Sequence, residues 1–251
     1  MTQRPTPARN RSPEPLPTLV YRHNSLIRRT LGNVDPQLQE NKANNLALAA
    51  PCIDGILVPP GMTFSFWKLV GNAIPSRGYR VGLVIRDGEP DQGVGGGLCQ
   101  FTNLIHWMVL HSPLSVTEHH HHNQLDLFPD FDRVLPFGTG TSVAYNHVDY
   151  QFRNDTTNTF QLRVAVTETH LRGELRAERP EPFSYHIVER DSCFTRESEG
   201  LFRNNAIFRR VVDKRTGQTI SEDLMMRNHS RVLYGEEHIP ANRIAADPDQ
   251  R

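Results

Sequence analysis

Between Gly93 and Ser112 the chain reads GVGGGLCQFTNLIHWMVLHS, with glycine at four of the first five positions, then Cys99, then a strongly apolar stretch. Glycines permit tight turns and close backbone approach that side chains forbid. The stretch from Leu98 to Leu110 predicts a helix, which Ser112-Pro113 ends because proline disfavours a helical residue before itself. Cys99 therefore falls in the first turn, where unpaired amides and the helix dipole stabilise a thiolate. Two readings compete: a nucleophile held at a helix start, with Gly95, Gly96, Gly97, Gln100 and Asn103 binding substrate or donating to an oxyanion, or a structural turn beside a buried thiol.

The remaining chain sorts by texture. Residues 1–17 are rich in Pro, Arg, Ser and Thr and predict a disordered arm. Leu and Ala spacing over Leu19–Leu31 and Pro36–Ala50, with NVDP between them, predicts a helical hairpin within 18–50. Residues 51–240 predict the main domain, whose later segments (TSVAYNHVDYQFRN, TFQLRVAVTE, LRGELRAER, FSYHIVERD) alternate in polarity as an antiparallel meander does. The polar end, 241–251, predicts a frayed tail. The expected fold class is α+β: an N-terminal helical hairpin and a central Cys-bearing helix packed on a mostly antiparallel sheet.

A chain of 251 residues buries a core without disulfides. Lys plus Arg equal Asp plus Glu at 28 each, so no overall field attracts nucleic acid or an anionic membrane. No signal-like or membrane-spanning run is visible, and a cytoplasmic location is the expectation. Cys52, Cys99 and Cys193 are odd in number and widely spaced, which favours reduced thiols over a disulfide framework.

A cysteine nucleophile needs a base. His106, seven residues along the same helix, lies about 10 Å away along the axis, too far for a thiolate–imidazolium hydrogen bond. The segment TEHHHHNQLDLFPD offers His119 to His122. In an extended segment alternate residues share a face, so His120 and His122 are expected inward and His119 and His121 outward. A helix bearing Cys followed by a strand bearing His is the arrangement of papain-like thiol enzymes, with Asp126, Asn146 or Asp149 as the orienting third member. The same residue types also permit zinc, on Cys99 with two imidazoles or on His with Asp126; the expectation is no metal and no cofactor. Trp67 and Tyr79 suit a core edge or the wall of a substrate pocket.

From Pro60 to Glu168 the chain resembles the VanW family, known from vancomycin B-type resistance clusters. The resemblance rests on PGMTFSFWKLVG, on GYRVGLVIRDGEPDQGVGGGLCQFTNLIHWMVLHSPLSVTE, on DLFPDFDRVLPFGTGTSVAYNHVDYQFRN and on the TFQLRV strand. The family pattern carries Glu-Arg-His before its final histidine, whereas His119 stands here at the arginine position, so the resemblance does not choose among His120, His121 and His122. It implies a glycopeptide-resistance accessory role. Combined with the Cys/His pattern, it suggests a thiol-dependent amide hydrolase or acyl transferase acting on a small peptide or cell-wall precursor. The alternative is a non-catalytic ligand- or partner-binding module, or a structural metal-binding protein.

Overall fold

The computed structural model describes residues 6–28, 35–86, 89–121, 125–130 and 135–245. The fold is predominantly β, which overturns the α+β expectation: three α-helices and four sheets occur among the described residues. The first sheet holds β1 (Thr6–Pro7), β4 (Met62–Ser65), β9 (Gln151–Arg153) and β7 (Ser115–Glu118) in that order. The second holds β2 (Thr18–Leu26), β11 (His170–Ala177), β10 (Phe160–Val166) and β3 (Leu57–Val58). A third is the long meander β12 (Phe183–Glu197), β13 (Gly200–Asp213) and β14 (Thr219–Val232), with β8 (Leu125–Asp126) on its edge. β5 (Val81–Arg86) and β6 (Glu89–Val94) form a separate two-stranded ribbon.

The expected helical hairpin is half absent. Pro36–Ile53 is a helix, α1, started by Asp35, whose carboxylate accepts from the Gln37 amide, with Pro36 in its first turn. Thr18–Leu26 is instead a strand paired antiparallel with β11. Its Thr, Val and Tyr favour a pleated surface, and Arg22 stands opposite Glu174 in an ion pair of 2.7 Å. Leucine spacing suggested a helix; a cross-strand partner some 150 residues away, visible only in the fold, decides for a strand.

Nor is the arm disordered from Thr6 onward. β1 pairs parallel with β4, the Leu57 amide donates to Asn10 O at 2.8 Å, and the Ser12 amide donates to Gly55 O at 2.9 Å. Gln161, fully buried, accepts from the Leu16 amide and donates to Ser12 O and Glu14 O. Arg11 donates to the carbonyls of Pro51 and Cys52, covering the open C-terminal end of α1. The arm has few apolar side chains but offers backbone groups to buried polar partners, which composition does not register. At the other end, the Ala245 amide donates to Phe194 O, so the expected fraying does not extend to 241–245.

The main core lies between the first two sheets, α1, α2 (Phe66–Val70) and α3 (Cys99–Leu110). α3 runs against β2 and β11, and Gly173 on β11 admits Leu104 and Met108, whose side chains occupy the space a Cβ would need. No helix among the described residues is long and apolar enough to cross a membrane.

Candidate functional site

α3 begins as the sequence suggests, but its start is not an open cradle of amides. The Gly95 amide donates to Arg80 O, Gly96 to Gly93 O, Leu98 to Gly95 O, Gln100 to Gly97 O and Phe101 to Leu98 O. Consecutive turns thus consume most of the donors that an isolated helix would leave free, the Gly97 and Cys99 amides being without a backbone acceptor among the described residues. Gly96 lies back to back with Gly82, Gly95 abuts Ala73, and Gly97 is covered by the Lys42 stem. Buried Asn45 stitches the loop down, giving Nδ2 to Arg80 O (2.9 Å) and Gly96 O (3.0 Å) and taking the Arg80 amide on Oδ1 (2.8 Å). Asn45 escaped the sequence reading; its signal was a polar residue on the Leu38–Leu46–Ala49 face of α1. The Gln100 side-chain amide, expected to assist an oxyanion, donates to Ser25 Oγ and Leu26 O, both at 2.8 Å, and ties α3 to β2.

Cys99, Asn103 and His106 follow one face of α3 at i, i+4 and i+7. Over that face lies the segment Gly140–Val143. Asn103 Oδ1 accepts from the Thr141 amide (2.6 Å) and hydroxyl (2.9 Å), and Thr102 shares a hydroxyl–hydroxyl bond with Thr141. The Val143 backbone lies near enough to the Cys99 sulfur to favour its charged form. The histidine tract runs alongside, with the Ser142 amide donating to His120 O.

The inward rings are His119 and His121, opposite to the expected parity. His119 Nε2 donates to Gly140 O at 2.9 Å, and its ring stacks on buried His106 at 4.4 Å and 13°. His106 Nδ1 meets the Tyr150 hydroxyl at 3.2 Å, and its Nε2 has no partner among the described residues. A Cβ on Gly140 would sit 3.3 Å from His121 Nε2 and 3.8 Å from Asn103 Oδ1, so the imidazole and the amide converge on Gly140. His120 points outward to Glu118 at 3.3 Å and is half exposed, and His122 lies outside the described residues.

Both proposed aspartates are engaged elsewhere among the described residues. Asp126 is buried on β8, with its carboxylate against Arg203 and accepting from the Tyr234 hydroxyl at 2.7 Å. Asp149 accepts from Ser65 Oγ, from the Trp67 and Tyr150 amides and from Gln151 Nε2, anchoring the start of α2. Asn146, the third candidate, occupies a turn at φ 63°. Trp67 donates through Nε1 to Val148 O and meets Tyr145 edge-on, half-buried near the same loop. Tyr79 is buried, its hydroxyl without a partner among the described residues. Among the described residues no group of three or more His, Cys, Asp or Glu is disposed to hold a metal ion.

Burial raises the Cys99 thiol above its ordinary value, only partly countered by the Val143 backbone and its own. The resting sulfur is therefore protonated at neutral pH, contrary to the activated thiolate that position alone suggests. Burial likewise keeps His106 and His119 neutral, each further disfavoured as a cation by neighbouring imidazoles. His111, stacked on Tyr21 at 3.9 Å, is lowered by burial to about 4.

These shifts fix a sign. Each of the three histidines holds a proton less readily in the folded than in the unfolded chain, so the unfolded state protonates first as pH falls through 6.5. Stability is full above that value and declines towards pH 4, the window set by His111. Urea midpoints should fall steadily between pH 7 and pH 4.5, with His111 alone accounting for roughly 1–3 kcal/mol. In a His111→Phe variant that slope should flatten; an unchanged slope would contradict the assignment.

A family model described as VanW like protein matches residues 41–176. The chain belongs to the VanW family. The matched stretch contains most of α1, the glycine turn, α3, the histidine segment and Gly140–Val143, and ends with β11. Vancomycin B-type resistance protein VanW of Enterococcus faecalis is 32% identical over 215 residues, spanning 86% of this chain and 75% of that protein. Uncharacterized protein YoaR of Bacillus subtilis is 28% identical over 125 residues, 50% of this chain and 39% of that one. No solved structure matches the chain.

Proposed function

We propose that this VanW-family protein is a thiol-dependent amide hydrolase or acyl transferase acting on cell-wall-related peptides, in an accessory role to glycopeptide resistance. The observation that carries the chemistry is the gathering of Cys99, Asn103 and the His121 ring around the Gly140–Val143 segment. The resistance context comes from the name of the Enterococcus faecalis relative. His121 takes the role expected of His120 or His122, and Asn103 approaches the same glycine as the His121 ring.

Asn103 is one helical turn, about 5.4 Å of rise, from Cys99. The imidazole reaches the thiol as the site tightens on substrate, unliganded catalytic contacts being commonly longer than working ones. Because the resting thiol is neutral, the base acts during attack: His121 takes the thiol proton as sulfur bonds to the peptide carbonyl carbon. It then delivers that proton to the departing amine as the C–N bond breaks. Water or an acceptor amine releases the thioester and regenerates the thiol.

The mostly spent amides of the glycine turn and the raised thiol favour a second reading, a non-catalytic peptide-binding module that uses the same face of α3. Turnover of peptidoglycan stem peptides by the wild type, Cys99→Ala and His121→Gln separates the two. Catalysis predicts a loss of roughly 10⁴-fold or more in the alanine variant; equal turnover would remove Cys99 as nucleophile. Alkylation of Cys99 by iodoacetamide should be slow at pH 7 and climb through and beyond about pH 8.5. A fast plateau below pH 7 would show a preformed thiolate and refute the general-base sequence.

A further inference from the structure

A concave surface rich in charge, with no residue of the Cys99 face in its lining, lies where the long meander meets the C-terminal segment. A cleft of about 360 Å³ is lined by Asp130, Glu189, Ser192, Arg203 and Arg243 beside the ring of Phe137. A second, of about 300 Å³, shares Asp130 and Arg243 as its wall. The two clefts differ in what their charges already do.

Arg203 is consumed by structure. Its guanidinium grips Asp130 through two bonds of 2.8 Å, touches Asp126, and sits over Phe137 and Phe194 at 4.5 and 5.4 Å. Its buried Nε has no partner among the described residues. Arg243 is differently placed. Its plane is held over Phe194 at 5.1 Å, yet it reaches Asp130 through one contact of 3.3 Å and Ser192 Oγ through one of 3.0 Å. Guanidinium carries five donors, so several remain unspent among the described residues. Glu189 Oε1 accepts from Asn205 Nδ2 at 2.6 Å, and its second oxygen has no partner among the described residues.

One cleft thus offers an under-used guanidinium and an under-used carboxylate, fixed from behind by aromatic stacking and an amide bond. A lone anion is repelled by Glu189 and Asp130, and a lone cation by Arg203 and Arg243. A ligand bearing both charges satisfies both walls. We infer that the Arg243–Glu189 cleft is a binding site for a small zwitterion, an amino acid or short peptide, whose carboxylate takes Arg243 and whose ammonium takes Glu189. The cleft's volume admits a ligand of that size.

Titration of the full chain with alanine and with dialanine, followed by calorimetry and by amide shifts of the 189–192 segment, tests this and distinguishes a free amino acid from a peptide. Saturable binding of at least one is expected. N-acetylated and C-amidated dialanine, Glu189→Gln and Arg243→Gln should each weaken it by about tenfold or more, a loss of about 1.4 kcal/mol. Glu189→Gln retains an acceptor for Asn205, so its thermal melt should overlay the wild type and keep the test valid if Arg243→Gln is unstable. Cys99→Ala should bind as the wild type does, which separates this site from the thiol face. Absence of saturation by either probe at tens of millimolar, or capped peptides binding as tightly as the free ones, would overturn the inference.

Discussion

Gly96→Ala is expected to cost more than about 3 kcal/mol, the upper range of overpacking penalties, and to unfold a marginal chain. A Cβ at Gly96 would lie well under 3.0 Å from the carbonyl carbon, oxygen and Cα of Gly82. Those are backbone atoms of β5, so no side chain can rotate away. The reciprocal position is equally tight, with a Cβ on Gly82 falling on Gly96 O. Relief would require parting the ribbon from the turn, which withdraws Gly96 O from Asn45 and breaks the stitch that holds the loop to α1. Gly61→Ala, where nothing lies within 4 Å but φ is +75°, isolates the conformational cost and should be milder, about 1–2 kcal/mol. Urea denaturation of the two variants is the measurement. A Gly96→Ala midpoint within error of Gly61→Ala would mean that the two backbones are not in contact.

Arg203→Ala should destabilise the protein by roughly 3–5 kcal/mol, since it strands buried carboxylate rather than merely deleting an attraction. The Arg203 and Asp126 side chains are only 4% and 3% exposed, and Asp130 depends on the same guanidinium for its two-pronged bond. The substitution also empties the space between Phe137 and Phe194. Burial opposes the charge on Arg203, but Asp130 and Asp126 outweigh it and raise its pKa. Burial and the adjacent Asp126 carboxylate push the Tyr234 hydroxyl, which donates to Asp126, well above its ordinary value. Asp126→Asn on the Arg203→Ala background should recover part of the loss, because an amide tolerates burial without a counter-ion. A double variant as unstable as the sum of the singles would show that the pair is not coupled. Thermal melts of the four proteins complete the cycle.

Local patterns survived into the fold wherever the deciding contacts were local. α3 was legible because its apolar residues and its Ser-Pro stop are contiguous, and the strands from Phe160 onward because each alternates over its own length; the strand expected over TSVAYNHVDYQFRN is corrected to a loop and turn over 141–150, with only Gln151–Arg153 extended. β2 was not legible, since its partner is β11 at the far end of the core. The histidine parity failed for a specific reason. The ladder between β7 and β9 shifts register between Val116 and Glu118, and β7 ends at Glu118. Strict alternation cannot be carried from β7 into His119–His122. Asp126 looked like a neighbour of the histidines because it is close in sequence; pairing of β8 with β14 carries it to the meander instead. The helix dipole at Cys99 was correctly located, but whether its amides were free depended on the turn that precedes it.

The fastening of the first residues also sets an order of events during synthesis. Leu16 binds Gln161, 145 positions later, and β2 has no ladder until β11 has been made. As the chain leaves the ribosome, the segment around Leu16 must wait for the 145 positions up to Gln161 before it can dock, with the β2 edge open to other strands meanwhile. Assembly dominated by such distant pairings is slow. Synonymous changes that delay elongation between Ala50 and Phe160 should therefore lower soluble yield without altering the finished protein.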